Sequence, residues 1–269
     1  MADQPRRGRR WSPAEAVADQ LRRRILSGEV PDGGLLPKID DLMAEFGVSR
    51  PAVRSACAIL ETEGLLRVRR GHQGGAVVHA PGPANAAYTV AQVLEARRVQ
   101  VPDVAAAVER LEPLCAQLCA ERPDRDRAVL PALDAAQHDL AEAIERADGM
   151  AASDAARRWH EALADGCGNE TTRVLLGALE MLWTSHSRAS TTDSVARGVP
   201  YSEKQSRQVF AEHGAIAALI VAGKSAEAAG AVRDHLRTAR IHGQPTDAPA
   251  TGAVRAELVR DSLSGWPGG

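Results

Sequence analysis

Apolar residues recur at helical spacing in three short segments near the start of the chain, residues 13–27, 38–46 and 49–63. In the third segment they follow the order i, i+3, i+4 and i+7, which places one apolar stripe of a helix against a core. Two short strands around a glycine-rich tip are predicted next, between Leu65 and His79. The pattern therefore predicts three helices followed by a hairpin.

The rest of the chain has a helical pattern almost throughout. Aromatic residues make up only 3% of the chain against a hydrophobic content of 44%, and the abundant Ala, Leu and Arg favour helices over strands. The predicted fold class is mainly α, with an antiparallel helical bundle as the C-terminal part. Its predicted helices are 90–98, 103–121, 125–147, 153–165, 171–189, 202–222 and 225–242.

Changes in composition divide the chain into five predicted parts. The first residues are basic, and a Pro/Ala/Gly-rich stretch separates the two helical regions. The last residues are rich in Pro, Gly, Thr and Ala, a composition typical of disorder. The expected parts are a disordered basic arm (1–10), a domain of three helices and a hairpin (11–80), a linker (81–88), a helical domain (89–242) and a disordered tail (243–269).

Charge is distributed unevenly, although the formal net charge is only -2. Residues 1–80 carry 13 Lys and Arg against 10 Asp and Glu, whereas the remainder carries 20 against 25. A basic N-terminal part followed by an acidic remainder suggests a nucleic-acid-binding module joined to a second domain. A solvated basic face would show the same excess of positive charge. No run reaches the length of a membrane span and no apolar signal core follows the N-terminus, so we expect a cytoplasmic protein.

Two arginines, Arg50 and Arg54, lie on one face of the predicted third helix, beside its apolar stripe. Ser49 is a suitable N-cap for that helix, and the preceding helix with the turn at residues 47–48 completes a helix-turn-helix. In such a motif the first turns of the second helix point at base edges, where Arg binds guanine or phosphate. The third helix is therefore the predicted recognition helix.

The hairpin that follows is basic and ends in a glycine-rich tip. Arg67, Arg69 and Arg70 supply positive charge, and the glycines within 71–75 allow the backbone to approach DNA closely. The N-terminal domain is thus predicted to be a winged helix-turn-helix. The residues predicted to contact DNA are Lys38, Ser49, Arg50, Arg54, Arg69, Arg70, Gly71, His72 and Gly74.

Further motifs surround the helix-turn-helix, namely GEVPDGGLLP, GVSRPAVR, LETEGL and the glycine-rich wing, all within residues 13–79. This stretch resembles the winged helix-turn-helix of the GntR family of bacterial transcription regulators. The resemblance implies that Arg50, Arg54 and a glycine of the wing tip contact DNA. One position departs from the family pattern, because a DNA-contacting Arg of the second helix is replaced by Asp40. Either the operator differs from the family habit, or Lys38 supplies the charge.

Three histidines, His160, His213 and His235, lie on the apolar faces of separate predicted helices. A single histidine in such a place is usually a hydrogen-bonded core residue, but three from different helices suggest convergence. Converging imidazoles suit Zn²⁺, Ni²⁺ or similar ions, with open positions left for a ligand. The predicted cofactor is a divalent metal, zinc, nickel or manganese.

The helical half resembles the effector-binding domain of FadR-like GntR regulators, through RLEPLCAQLCAER, WHEALADGCGN and EHGAIAALIVAGKSAEAAGAVRDHL. In many relatives an Asp and three His bind a metal that holds a carboxylate metabolite, and the histidines fall on His160, His213 and His235. The family Asp falls on Ala156, while Asp154 lies well round the helix. Either a metal binds with water or ligand in place of the Asp, or the histidines form a polar pocket without metal.

A second departure affects the carboxylate-binding arginine of the family. The corresponding residues 106–108 read AAV, and Arg97, Arg98 or Arg188 would have to substitute. The predicted effector contacts are His160, Arg188, His213 and His235.

These features predict a ligand-responsive transcription regulator, expected to be a repressor and not an enzyme. Two copies would form a homodimer on a near-palindromic double-stranded DNA operator, and a small metabolite, a carboxylate by family resemblance, would bind in the helical domain. The alternatives are a metal-dependent enzyme and a winged-helix protein-interaction module. The sequence lacks G-x-S-x-G, H-E-x-x-H and a phosphate-binding glycine loop, which disfavours the first, and the inward-facing histidines disfavour the second.

Overall fold

The computed structural model of the protein describes residues 11–69, 75–196, 202–242 and 252–264. The chain forms two compact units, which divide between Gly82 and Pro83. The basic arm predicted at residues 1–10 lies outside the described part of the chain.

The described residues of the N-terminal unit form three helices and one hairpin, which confirms the predicted order. Its elements are α1 (Pro13–Leu26), α2 (Ile39–Phe46), α3 (Arg50–Thr62), β1 (Leu66–Arg69) and β2 (Gly75–Val78). The two strands pair antiparallel, with Leu66 opposite Val78 and Arg69 opposite Gly75. The hairpin therefore follows directly from the helix-turn-helix.

Local sequence signals determine where these helices begin and end. The hydroxyl of Ser12 accepts a hydrogen bond from the backbone N–H of Glu15, whose side chain accepts one from the N–H of Ser12, so that α1 starts with a reciprocal capping box. Gly47 adopts a φ of 64° after α2, which lets the chain turn sharply into α3. The stripe predicted on α3 is buried, and it consists of Val53, Ala56, Cys57 and Leu60.

The larger unit is helical in all its described elements, which confirms the mainly α class. The elements are α4 (Pro83–Ala96), α5 (Val101–Glu121), α6 (Arg125–Ala128), α7 (Leu130–Glu145), α8 (Gly149–Gly166), α9 (Glu170–Ala196), α10 (Glu203–Val221), α11 (Ser225–His242) and α12 (Ala256–Ser264). Its largest apolar cluster joins α5 and α7 to α11 around Trp159, Leu163 and Ile216. Among the described helices, none is long and apolar enough to cross a membrane.

The linker predicted at 81–88 is wrong, because helix α4 begins at Pro83. Ala87 and Ala91 are fully buried, and a Cβ added to Gly177 of α9 would lie only 3.1 Å from the Cβ of Pro83. Small residues permit this close approach between α4 and α9, and proline is compatible with the first turn of a helix. A composition that suggested a flexible linker therefore forms a closely packed helix.

The disordered tail predicted at 243–269 is also partly wrong, because residues 252–264 contain helix α12. Val254 and Val259 are buried at 1% and 0% exposure. The backbone N–H of Arg255 donates to Nε2 of His186 at 2.9 Å, and that of Ala256 donates to the Glu95 carboxylate at 2.9 Å. A few apolar residues and these side-chain acceptors hold the segment against the rest of the larger unit. Its overall composition does not indicate this order. The remaining tail residues lie outside the described part.

Candidate metal centre and nucleic-acid interface

Three helices of the larger unit bring the predicted histidines together. His160 comes from α8, His213 from α10 and His235 from α11. The Nε2 atom of His235 lies 3.3 Å from Nε2 of His213 and 3.3 Å from Nε2 of His160. One potential ligand atom from each of the three lies within 4.8 Å of the other two. The predicted convergence is therefore present in the structure.

Two carboxylates hold the outer nitrogens of this cluster. Nδ1 of His160 is hydrogen-bonded to the Glu112 carboxylate, and Nδ1 of His235 to Glu212 at 2.6 Å. A carboxylate accepts a hydrogen, so each Nδ1 carries its proton and Nε2 of a neutral ring presents a lone pair inward. Neither glutamate is among the residues predicted from the sequence, although Glu112 lies in the L-E-P element and Glu212 immediately precedes His213.

His213 is held differently, by an aromatic ring. It is 0% exposed, and its ring stacks on Trp159 with centroids 4.0 Å apart and an interplanar angle of 9°. Its Nδ1 is buried and finds no hydrogen-bond partner within the described residues. Packing, not a carboxylate, therefore fixes the orientation of this ring.

Burial and neighbouring charges shift the histidine pKa values in different directions. Burial lowers the pKa of His213 well below its ordinary value, and His160 and His235 lower it further. Burial also lowers the pKa of His235, with a contribution from His160 and against the effect of Glu212. Burial alone would lower the pKa of His160, but the charge and hydrogen bond of Glu112 outweigh it, so that the pKa is raised.

The donor set fits a divalent metal ion. A tetrahedral ion with metal–nitrogen distances of about 2.0–2.1 Å would hold its ligand nitrogens about 3.3 Å apart. Nε2 of His235 lies at this distance from Nε2 of His160 and from Nε2 of His213. Three inward-facing imidazole nitrogens otherwise repel one another. A proton between two rings would satisfy only one contact, whereas a metal ion would satisfy all three nitrogens. The carboxylates behind His160 and His235 are the outer partners that ligating histidines ordinarily have.

The position of the family Asp is occupied by Ala156, whose side chain has no atom that could bind a metal, as the sequence indicates. Ala156 lines a cavity of about 300 Å³, and so do His160 and His235. Asp154 is ion-paired with Arg188 instead of joining the histidines. The open side of the three-His cluster therefore faces a cavity large enough for a small molecule.

Three of the four predicted effector contacts line this cavity, and the fourth does not. Arg188 lines this cavity with His160 and His235, whereas His213 lies behind them and is not part of the wall. The alternative arginines, Arg97 and Arg98, do not line this cavity.

On the N-terminal unit, Ser49 is the N-cap of α3 and is exposed, as predicted. Its side chain makes no capping hydrogen bond with any described residue. Arg54 is exposed on the same helix, and Arg69 is exposed at the end of β1. Lys38 is exposed as the N-cap of α2. The predicted contacts Arg70, Gly71, His72 and Gly74 lie outside the described residues.

Asp40 has a specific partner on this surface. Its carboxylate forms an ion pair with the guanidinium of Arg50, and the two side chains are 72% and 47% exposed. The sequence shows that Asp40 stands where the family has a DNA-contacting Arg, but it does not indicate this contact between α2 and α3. One of the two predicted recognition arginines is therefore partly neutralised in the protein without DNA.

Comparison with known families matches both units. The family described as "Bacterial regulatory proteins, gntR family" matches residues 13–78, and the FCD domain matches residues 103–238. The second match covers half of the chain and includes all three histidines. Helix α12 lies outside both matches.

Individual relatives are similar over different lengths. The chain is 29% identical to the HTH-type transcriptional regulator LutR of Bacillus subtilis over 79% of this chain and 92% of LutR. It is 42% identical to the HTH-type transcriptional repressor NanR of Klebsiella aerogenes over 22% of this chain and 23% of NanR. It is 37% identical to Mce2R of Mycobacterium tuberculosis over 40% of this chain and 51% of that regulator. The chain thus spans about half or less of the length of several curated relatives.

A solved structure shows the same fold. The protein described as Streptococcus agalactiae GntR aligns with a TM-score of 0.62 and 23% identity, covering 85% of this chain and 99% of that one. At this identity the likeness concerns the fold alone.

Proposed function

Because the chain belongs to the GntR family of bacterial regulatory proteins, with an FCD domain as its larger unit, we propose that it is an effector-responsive transcriptional regulator. The observation that carries the proposal is the presence, in one chain, of an exposed arginine-bearing helix in a helix-turn-helix and a buried three-His centre open to a cavity. A sensor that controls DNA binding needs both, whereas an enzyme would need only the second.

The N-terminal unit binds DNA in this proposal. Helix α3 enters the major groove, where Arg54 reads a base edge or a phosphate, and Arg50 does so after exchanging Asp40 for DNA. Two copies of the chain form a homodimer and contact successive half-sites of a near-palindromic operator. The bacterial cytoplasm is the compartment in which such a protein would meet its operator.

The larger unit binds the metal and the effector. His160, His213 and His235 hold a divalent ion, and the ion supplies a Lewis-acidic position that an anionic donor of the effector would fill. Glu112 and Glu212 orient two of the rings, while Trp159 positions the third. Ala156 leaves the coordination side facing the cavity open, at the position where the family resemblance implies an Asp in many relatives.

Effector binding changes DNA affinity by shifting a population between DNA-competent and DNA-incompetent arrangements. We propose repression, as the repressor designation of NanR suggests for a relative. A carboxylate effector is the expectation from the family resemblance.

Elemental analysis of the untagged full-length protein tests this proposal. We expect near-stoichiometric zinc, nickel or manganese, and its loss in a His160→Ala/His213→Ala double variant that still binds operator DNA without effector. Folded wild-type protein that binds DNA but remains metal-free after dialysis against zinc would contradict the metal-centre part. Absence of specific DNA binding, measured by selection from random duplexes, would contradict the regulatory function.

A further inference from the structure

Glu180 is a buried acidic residue on the wall of the effector cavity. It belongs to α9, it is 8% exposed, and neither carboxylate oxygen has a hydrogen-bond partner among the described residues. An unpartnered buried polar group destabilises a protein, because it loses its hydration without replacement. Such a group beside a cavity is a candidate ligand contact.

The charges around Glu180 do not compensate for its burial. Glu112 and Glu161 act on it repulsively, and Arg157 is the attractive neighbour. The guanidinium of Arg157 is already ion-paired with Glu161, and its Nε is buried without a hydrogen-bond partner in the described structure. Burial, followed by the charge of Glu112, raises the pKa of Glu180 well above its ordinary value. Among the described residues, the cavity wall therefore presents a carboxyl and an N–H that make no hydrogen bond, with Asp154 at 3.9 Å from this Nε as an ion-pair neighbour.

The other carboxylates of this wall have partners. Glu109 is ion-paired with Arg237 at 2.8 Å, and Glu112 is hydrogen-bonded to His160. Asp154 is paired with Arg188, the arginine that the sequence suggested as a carboxylate contact. These acidic residues and Glu180 outnumber the two arginines of the wall, Arg157 and Arg188. A simple carboxylate would thus find few cationic groups on this wall that are not already paired, except at the metal.

We propose that Glu180 binds an amine of the effector, and that the effector is therefore an amino acid or a similar compound with an amine beside a metal-binding anionic group. This inference rests on the proposed effector function of the same cavity. The anionic group completes the coordination of the metal and accepts a hydrogen bond from Nε of Arg157. The amine gives Glu180 the charged hydrogen-bond partner that the described residues do not supply.

Calorimetric titration of the zinc-loaded full-length protein with matched ligand sets tests the proposal. Each set contains an amino acid, its 2-hydroxy analogue and its unsubstituted carboxylate, on the carbon skeletons of alanine, norvaline, leucine and glutamate. In at least one set we expect the amino acid to bind about tenfold or more tighter than the hydroxy analogue, since a charge-assisted hydrogen bond replaces a neutral one. Glu180→Gln should abolish this preference without changing the zinc content.

Glu109→Gln is the matched control, because Glu109 lines the same cavity but already has Arg237 as its partner. It should keep the preference for the amino acid. Equal or tighter binding of a hydroxy acid or plain carboxylate in every set would overturn the proposal, and so would an unchanged preference in Glu180→Gln. Failure of all sets to bind would overturn the amino-acid class as well. A protein that takes up no zinc contradicts the metal centre instead, so the two failures are distinguishable.

Discussion

Helix α3 and the three-histidine centre both depend on a few polar side chains, but they hold them in opposite environments. Arg50 and Arg54 are exposed on a single helix, whereas His213 and His235 are 0% and 3% exposed and come from different helices. Exposed charges interact weakly with the rest of the folded protein and contribute little to its stability. Exposed arginines contribute instead to the free energy of DNA binding, through contacts with phosphates. Buried imidazoles must instead be compensated inside the protein before any ligand arrives.

The charged residues of the two regions have partners that differ in exposure, and substitutions in the two regions should therefore have different effects. The partner of Arg50 is the exposed Asp40, whereas the partner of His160 is Glu112, which is only 1% exposed. We therefore expect changes on α3 to alter DNA binding with little effect on folding. Changes at the centre should alter metal binding and stability together.

Removal of the metal should have the largest effect on stability. Metal that binds only the folded state, present at about a thousand times its dissociation constant, contributes about 4 kcal/mol to the free energy of unfolding. Urea unfolding with and without EDTA measures this difference, and zinc should restore it. The His160→Ala/His213→Ala variant is the control and should not respond to EDTA. Identical unfolding curves for wild type in both conditions would contradict a metal centre.

Loss of the charge behind His160 should have the next largest effect. Glu112→Gln keeps an acceptor for Nδ1 but removes the negative charge that raises the ligand's basicity, so zinc affinity should fall about 10- to 100-fold. Competition with a chromophoric chelator measures the change. Glu109→Gln, on the same helix and the same cavity wall, should leave zinc affinity nearly unchanged. Equal losses in both variants would indicate a general effect of cavity charge.

The sequence predicts the two regions to different depths. The stripe of α3 and the apolar faces that carry His160, His213 and His235 follow from helical periodicity, which is local information. The pairing of Glu212 with His235 could not be predicted, because it depends on how α10 packs against α11. The ion pair of Asp40 with Arg50 could not be predicted either, because it depends on how α2 packs against α3.

Composition failed where a few residues determine the structure. Helix α12 was predicted to be disordered because its surroundings are rich in Pro, Gly and Thr, yet Val254 and Val259 are buried. Helix α4 resembled a linker because alanine, which allows close helix packing, is also common in flexible segments. In both cases a small number of tertiary contacts outweighs the average character of the segment.

Glu180 is a third case, a buried carboxyl that makes no hydrogen bond with the described residues. Because its pKa is raised in the folded state, the folded protein retains protons that the unfolded chain releases above about pH 4.3. The free energy of unfolding of the ligand-free protein should therefore fall as the pH rises above about 4.3, until Glu180 also ionises in the folded protein. Glu180→Gln should remove that contribution and be more stable than wild type at pH 7 by about 1–3 kcal/mol. Urea unfolding at several pH values measures it, and parallel curves for both proteins would contradict the explanation.

Arg54→Ala should act on the other region alone. We expect operator binding to weaken by about 1–3 kcal/mol, because the side chain reaches a base edge or phosphate from the first turns of α3. The unfolding midpoint should not change, since Arg54 is exposed. Fluorescence anisotropy with a selected operator measures the affinity, and Arg23→Ala, which removes an exposed arginine of α1, is the control. Unchanged affinity in Arg54→Ala would place the recognition surface elsewhere.

Asp40→Asn should have the smallest effect and the opposite sign. It frees Arg50 from its ion pair and removes a negative charge near the DNA phosphates, so operator binding should strengthen by less than about 1 kcal/mol. Asp41→Asn removes a charge from the same exposed turn of α2, but no described ion pair joins Asp41 to Arg50. A larger gain for Asp40→Asn than for Asp41→Asn, measured at low and high salt, would assign the difference to the released arginine. Equal gains would mean that only the net charge of α2 matters, and that Asp40 does not modulate the recognition helix.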